Sequence, residues 1–416
     1  MLDDLLARRV VQQVEFALRT FRGVVVGGVR QSGKTTLVRQ LLQTDATYLS
    51  LDDASVRTAA HTDPHGLVAT TEPMVIDEFQ RGGDDLLLAV KQRLDTSNDR
   101  GQILLSGSSN FLASRHLSET LAGRIGIVTL MPLSQGEIDG VREGFLERGL
   151  DGVAALKKGA TTAEEPDLVA GRIARGGFPE VVTTVPAEGR PDWFQSFVQT
   201  VVERETPAVA RLGDTSGLRR TLNALATSTG QQVNMTQMAS RLGLSRPTVQ
   251  AYLDLLEAVY LLDRVPAWSP EAPGRLTKGP KMHLVDSGLA TALLGWSASR
   301  LADPTWTAAG PVWESFVVSE LRKQSSWLRP QPSVFHARDK GGRHEVDAVV
   351  EWPDGALVGI EVKRARSVRT GDADGLRWLQ TRSRGRMRAG VLLYGGTQIH
   401  SLGDDLLAMP ISALWA

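Results

Sequence analysis

The sequence predicts an α/β protein in three parts: a parallel sheet with helices on both faces, a helical middle, and a smaller α/β domain at the C-terminal end. Three observations predict it. Short apolar, β-branched runs alternate with helical segments between residues 23 and 105. A G-x-x-x-x-G-K-T turn stands between the first strand and the helix that follows. Near the other end, a strand–turn–strand pattern carries D-(x13)-E-x-K, from Asp347 to Lys363.

The elements follow in order. Residues 4–20 place Leu5, Val10, Val11, Val14, Phe16 and Leu18 among charges, which reads as a helix. Gly23–Val29 is a buried strand and Thr35–Gln43 the helix after it. Thr47–Leu51, Met74–Ile76 and Gln102–Leu105 are further strands with helical segments between them. Residues 141–175 are weakly patterned, and 161–167 read as a loop. From 190 to 262 the chain reads helical, and 263–281 are rich in Pro and Gly. From 312 the order is helix, strand (Glu345–Trp352), turn, strand (Leu357–Val362), helix, strand (Gly390–Tyr394).

At 416 residues the chain is long enough for two to four domains and several full cores. Its 47 basic and 47 acidic side chains balance. A chain-wide grip on nucleic acid or acidic lipid is excluded, so any such contact is local. The absence of cysteine excludes disulfides, thiolate metal sites and cysteine nucleophiles together, and fits a reducing cytoplasm. No signal-peptide pattern and no run long enough to cross a membrane is read, so a cytoplasmic protein without a membrane partner is expected.

Residues Gly28 to Thr35 place glycines where backbone N–H groups must curl around phosphate, at the start of a helix whose dipole favours an anion. The expected nucleotide-binding set is Gly28, Arg30, Gln31, Ser32, Gly33, Lys34, Thr35 and Thr36. Lys34 would neutralise the β- and γ-phosphates of ATP, and the Thr35 hydroxyl would hold Mg²⁺. Met74-Val-Ile-Asp77-Glu78 ends an apolar strand in two carboxylates. Asp77 would serve the Mg²⁺ and Glu78 would polarise the attacking water. Ser106 and Ser108 close the next strand within reach of a γ-phosphate. Arg124 is a candidate to reach a neighbouring subunit's nucleotide, with a local ion pair as its plain alternative.

These motifs resemble a bacterial and archaeal group of AAA-type ATPases. The resemblance rests on GVRQSGKTTL, YLSLDD (48–53), VIDEFQ (75–80), LLSGSS and LAGRI…MPLS (121–134). That group couples its ATPase to a distinctive C-terminal part, to which GGFPE (176–180), VVERE (201–205), VDSGLA (285–290) and WESFVVSEL (313–321) are similar. Glu205 departs from the aspartate expected there. The resemblance implies a ring or at least a dimer, hence a homo-oligomer.

Residues 238–250 read as helix, tight turn, helix: Gly243 makes the turn, Ser245 caps the second helix and Pro247 fits its first turn. Arg246, Thr248 and Gln250 line the polar side and would meet DNA, Gln reading adenine and Arg guanine or phosphate. Arg275, Lys278 and Lys281 would form a basic wing on the phosphates. A winged helix used only for packing or subunit contact is the alternative.

Asp347 and Glu361 fall on neighbouring strands, and Glu361 and Lys363 share one face. Two carboxylates and a lysine so placed can bind Mg²⁺ and activate water against a phosphodiester, with Glu314 on the preceding helix as a further metal ligand or a support. The arrangement resembles the PD-(D/E)xK nucleases. Residues 361–388 add nine basic side chains against three acidic ones.

The expected organisation is therefore a P-loop AAA-type ATPase domain (1–140), a helical connector (141–200), a winged-helix region (201–285) and a nuclease-like α/β domain (286–416). The leading expectation is an ATP-driven enzyme that remodels or processes DNA, with cleavage optional. A nucleotide-gated regulator whose C-terminal parts bind protein, and a Mg²⁺-dependent nuclease switched by ATP, are the alternatives.

Overall fold

The computed structural model describes residues 6–41, 46–108, 121–159, 163–204, 215–271 and 279–416. The chain divides into two compact units. The nucleotide unit comprises Arg8–Pro132 and Leu255–Leu261. The second unit is built mainly from Leu133–Asp254 and Leu262–Ala416.

The nucleotide unit is a five-stranded parallel sheet of β1 (Gly23–Gly27), β2 (Thr47–Ser50), β3 (Met74–Asp77), β4 (Ile103–Gly107) and β5 (Ile125–Thr129). Their spatial order is β2-β3-β4-β1-β5. Alternation with period two explains why β1 is buried on both sides. Val24 and Val26 join a core with Val14, Leu37 and Leu104, while Val25 joins Ile76, Leu86, Leu94 and Leu105. Each such side chain contributes about 1.5–3 kcal/mol by leaving water. The insertion of β4 between β1 and β3 brings the ends of all three strands to one edge of the sheet. That edge carries the glycine-rich loop, Asp77 and Ser106. The helix after the loop is Lys34–Gln40, shorter than expected, and the first helix is Val11–Thr20. The sequence reading leaves out β5, an edge strand whose β-branched run is interrupted by Gly126 and whose Ile127 is exposed.

The middle of the second unit contains helices Arg190–Arg204, Thr215–Thr227 and Met235–Leu242 and the part of helix Arg246–Ala258 up to Asp254. A three-stranded antiparallel sheet accompanies them: β6 (Gln231–Gln232), β7 (Leu262–Val265) and β8 (Lys281–Leu284), in the order β6-β8-β7. Gly243, left-handed at φ 65°, ends Met235–Leu242, and Ser245 accepts a hydrogen bond from the Thr248 amide as the expected cap. The weakly patterned 141–175 stretch forms short helices, Phe145–Asp151, Val153–Lys158 and Pro166–Arg175. The first two are too brief to show a full apolar stripe, whereas Pro166–Arg175 buries Pro166, Val169, Ala170 and Ile173 along one face.

The C-terminal part is a six-stranded mixed sheet. β9 (Ser333–Arg338), β10 (Glu345–Glu351) and β11 (Leu357–Lys363) run antiparallel; β11, β12 (Met387–Tyr394) and β14 (Leu406–Pro410) run parallel; β13 (His400–Gly403) pairs with β14. Helix Gly310–Trp327 covers one face through Trp313, Phe316, Val317 and Leu321. Helix Asp374–Arg382 covers the other through Leu376 and Leu379. Gly359 permits the second contact, since a Cβ there would lie 2.7 Å from Leu379 Cδ2. β9, β13 and β14 are additions to the strands the sequence predicts.

Two sequence motifs meet inside this unit. The Gly177 amide donates to Asp286 Oδ2 at 2.7 Å, and Asp286 also caps helix Ser287–Leu294 through the Leu289 amide. A Cβ on Gly176 would sit 2.2 Å from Asp286 Oδ1. GGFPE and VDSGLA are thus the two sides of one buried joint.

Candidate nucleotide site and carboxylate cluster

The loop after β1 is shaped by close backbone approach. A Cβ on Gly28 (φ 154°) would lie 2.2 Å from the Leu130 carbonyl, and Gly33 is left-handed at φ 93° where the helix begins. Lys34 is buried and donates to the carbonyls of Gly28 and Val29 at 2.9 and 2.8 Å. Burial pulls its ammonium down to about 8; Glu78 and Asp77 oppose that shift and Arg30 reinforces it.

Asp77 is the hub of the site. Thr35 Oγ1 donates to its Oδ2 at 2.7 Å, Tyr48 donates to the same oxygen at 2.9 Å, and Ser106 donates to Oδ1. Three elements therefore fix one buried carboxylate. Glu78 follows in the left-handed region at φ 53°, a strained conformation for a residue with a side chain. Gln80 Nε2 donates to Glu78 Oε2 at 2.5 Å and to Ser108 Oγ at 3.2 Å, and so holds the carboxylate. Tyr260, also in this unit, packs its phenol against Gly27, where a Cβ would lie 2.2 Å from the hydroxyl.

The donor set fits a magnesium–nucleotide complex. Thr35 and Asp77 supply hard oxygens, Lys34 supplies charge, and the buried Ser32 Oγ and Gln80 Oε1 have no hydrogen-bond partner among the described residues. The structure brings together Gly28, Ser32, Gly33, Lys34, Thr35, Asp77, Glu78, Ser106 and Ser108. Gln31 and Thr36 are exposed beside them, and Arg30 is half-buried. Arg124 is elsewhere. It precedes β5, at the opposite end of the strands, and pairs with Asp95 at 2.5 Å. Tyr48, Gln80 and Tyr260 escape sequence reasoning, because a lone Tyr or Gln carries no motif.

In the helix–turn–helix segment Arg246 and Gln250 are exposed. The Gln250 amide donates to Asp254, which also pairs with Arg264, and Thr248 is bonded to Ser245. Arg275 and Lys278 lie outside the described residues. The expectation for Lys281 is corrected: it is 3% exposed, because β8 is the central strand of its sheet and turns this side chain inward. It cannot touch a phosphate backbone from there.

Lys281 instead enters the C-terminal carboxylates. Its Nζ lies 2.7 Å from Glu314, 2.6 Å from Glu345 and 3.5 Å from Asp347. Burial opposes its charge, but these carboxylates outweigh burial and raise its pKa. Asp347 and Glu361 do meet, as expected from β10 and β11: Asp347 Oδ2 accepts the Val362 amide at 2.8 Å. A bulge between Val346 and Val349 aims Asp347 there. Lys363 pairs with Glu361 at 2.6 Å. Burial, reinforced by Asp347, pushes Glu361 up to about 8, and burial likewise holds Glu314 well above the usual carboxylate range. Among the described residues no group of three or more His, Asp or Glu side chains is arranged to hold a metal ion. Of the expected metal set, Glu314 is paired with Lys281, Asp347 accepts the Val362 amide and Glu361 is paired with Lys363.

A cavity of about 810 Å³ opens at the carboxyl ends of β11 and β12, lined by Arg366, Arg369, Arg377, Thr370, Thr397 and His400 among others. Two of these arginines are ion-paired, Arg377 with Asp374 at 2.9 Å and Arg366 with Glu165 at 3.9 Å, and elsewhere in the basic run Arg364 donates to the Pro304 carbonyl and Arg386 to Glu351.

Comparison with known proteins supports the N-terminal assignment. Residues 20–139 match a family model described as "AAA domain"; residues 167–300 and 309–414 match two models, each described as a domain of unknown function. The N-terminal segment thus matches an AAA domain and carries the P-loop sequence on a parallel sheet. An uncharacterized protein of Mycobacterium tuberculosis is 27% identical over 411 residues, covering 97% of this chain and 83% of the relative. One of Haemophilus influenzae is 24% identical over 303 residues, 67% of this chain and 71% of the relative. Among solved structures, a Walker-type ATPase of Pyrococcus abyssi aligns with a TM-score of 0.44 at 13% identity, over 70% of this chain and 97% of that one. A RuvB variant of Thermotoga maritima aligns with a TM-score of 0.31 at 18% identity, over 64% and 92%. No described helix is long and apolar enough to cross a membrane.

Proposed function

We propose that this protein hydrolyses ATP and uses the cycle to remodel DNA, working as a homo-oligomer. The observation that carries the ATPase part is the convergence of Thr35, Tyr48 and Ser106 on Asp77, with Glu78 held by Gln80 one residue on. Bound Mg²⁺ supplies neutralisation of phosphate charge. Thr35 and Asp77 would hold it. The ammonium of Lys34 would exchange its two loop carbonyls for phosphate oxygens, which pair with it more strongly because they are charged. Glu78 would orient a water and accept its proton as the water oxygen bonds to the γ-phosphorus and the β–γ bridging oxygen leaves.

DNA as the polymer is supported by two features of the second unit. Arg246 and Gln250 are exposed at the start of a helix that follows a tight turn, as in a winged helix that reads a groove. The arginine-lined cavity sits at the carboxyl ends of parallel strands, where open α/β sheets take ligands. The test is ATP turnover with and without single-stranded, duplex, forked and four-way DNA. Stimulation by at least one form supports the reading. Turnover indifferent to every DNA favours a nucleotide-gated regulator that binds protein.

A further inference from the structure

The carboxylates Glu314, Asp347 and Glu361 are the set a metal-dependent nuclease would give to a divalent cation. The cation already present in their midst is an ammonium. Lys281 contacts Glu314 and Glu345 at 2.7 and 2.6 Å and approaches Asp347 to 3.5 Å. These are N···O hydrogen-bond spacings. A Mg²⁺ ion needs its oxygens at about 2.0–2.1 Å in near-octahedral order. Lys363 takes Glu361 in the same way.

Nor is Lys281 a surface side chain that happens to bend inward. Its backbone lies in the middle of the three-stranded sheet, opposite Val265 on one side and Gln232 on the other. The same strand and its continuation are stitched to helix Gly310–Trp327 by a row of polar contacts. Lys281 meets Glu314, His283 Nδ1 lies 3.0 Å from Ser315 Oγ, and Ser319 Oγ donates to the Val285 carbonyl. Successive inward positions of the strand thus meet successive positions of the helix. Withdrawing the ammonium would mean unzipping that row.

We infer that Lys281 permanently occupies the cation position of the nuclease-like cluster, so that the C-terminal domain cuts no DNA and uses its carboxylates to clamp the middle sheet onto helix Gly310–Trp327. The inference stands apart from the ATPase reading, since none of these residues belongs to the nucleotide unit.

Mn²⁺ binding to the full-length, nucleotide-free chain, followed by electron paramagnetic resonance, tests it. An Asp77→Asn background removes the charged metal ligand of the nucleotide unit. Adding Asp347→Asn, which keeps an oxygen for the Val362 amide, is expected to leave the number of bound Mn²⁺ ions unchanged. A loss of one ion per chain on that substitution overturns the inference. Lys281→Met in the same background is expected to gain one Mn²⁺ per chain, and Asp347→Asn is expected to abolish the gain. A folded Lys281→Met chain that gains none overturns the claim that the ammonium stands in a cation's place. If Lys281→Met fails to fold, the ion count with and without Asp347→Asn, Lys281 being kept in both chains, decides.

Discussion

Thr35 and Asp77, 42 residues apart, are joined by a 2.7 Å hydrogen bond from hydroxyl to carboxylate. The bond exists because β4 lies between β1 and β3, so the loop after β1 and the end of β3 face each other across the end of one strand. It places a hard hydroxyl oxygen and a hard carboxylate oxygen side by side before any nucleotide arrives. Site geometry here is a property of sheet order rather than of the motif alone.

Lys34→Ala is expected to weaken nucleotide binding by roughly 10–100-fold, the worth of a lost hydrogen bond to a charged group. The substitution removes the ammonium that holds Gly28 and Val29 and would hold phosphate. A fluorescent ATP analogue titrated into both chains measures the difference. Unchanged affinity would remove the loop from nucleotide binding.

Glu78→Gln and Gln80→Ala separate chemistry from positioning. Glu78→Gln is expected to keep ATP affinity and lower kcat by about 10²–10⁴-fold, the range for a lost general base. Gln80→Ala leaves the carboxylate in place but frees it from Nε2, 2.5 Å away. It is expected to lower kcat about tenfold, equivalent to about 1.4 kcal/mol of barrier, with KM unchanged. A rise in KM at constant kcat would assign Gln80 to binding instead.

Gly27→Ala is expected to destabilise the nucleotide unit by about 1–3 kcal/mol through overpacking. The new Cβ would lie 2.2 Å from the Tyr260 hydroxyl and 3.1 Å from its ring carbon Cζ. Adding Tyr260→Phe removes the nearer atom and is expected to recover most of the loss. Hydrogen exchange at the β1 amides measures both. Equal protection in the single and double variants would mean the phenol moves aside freely.

Much of this site is legible in the sequence because its chemistry is local there. The Gly28–Thr35 turn and the Asp77-Glu78 pair follow directly from strand ends, and Asp347, Glu361 and Lys363 follow from period-two alternation. Tyr48 and Gln80 are not legible: a single hydroxyl or amide acquires its role only when sheet order brings β2 and the segment after β3 to Asp77. Lys281 misleads because it sits in a Pro- and Gly-rich stretch with Arg275 and Lys278. The signal that corrects this is the K-M-H-L run, whose alternation makes it a strand with Lys281 and His283 on one face. Which face is buried is a tertiary fact. The edge strands β9 and β13 are hidden for the opposite reason, being short or mixed in polarity.

His283 gives the second unit a pH dependence of definite sign. Burial lowers its pKa to about 3, with Lys281, His336 and Arg322 adding to the effect, so the folded chain holds it neutral. In the unfolded chain it titrates at its ordinary value of 6.5. Below that pH the unfolded state binds the extra proton. Its contribution is fully present above 6.5 and is lost progressively as pH falls towards 3, by up to about 1.4 kcal/mol per pH unit. Glu361, pushed up to about 8, acts in the opposite sense above its ordinary value of 4.5, so a comparison with His283→Asn is needed to isolate the histidine. Asparagine retains a polar partner for Ser315 without a titrating ring. All nine tryptophans fall at residue 193 or beyond and within the second unit, so urea unfolding followed by tryptophan fluorescence reports that unit alone. Between pH 6.5 and 4.5 the wild-type chain is expected to lose stability more steeply than His283→Asn. Parallel curves would show that His283 is protonated in the folded state, and that the strand carrying Lys281 is less buried than its contacts imply.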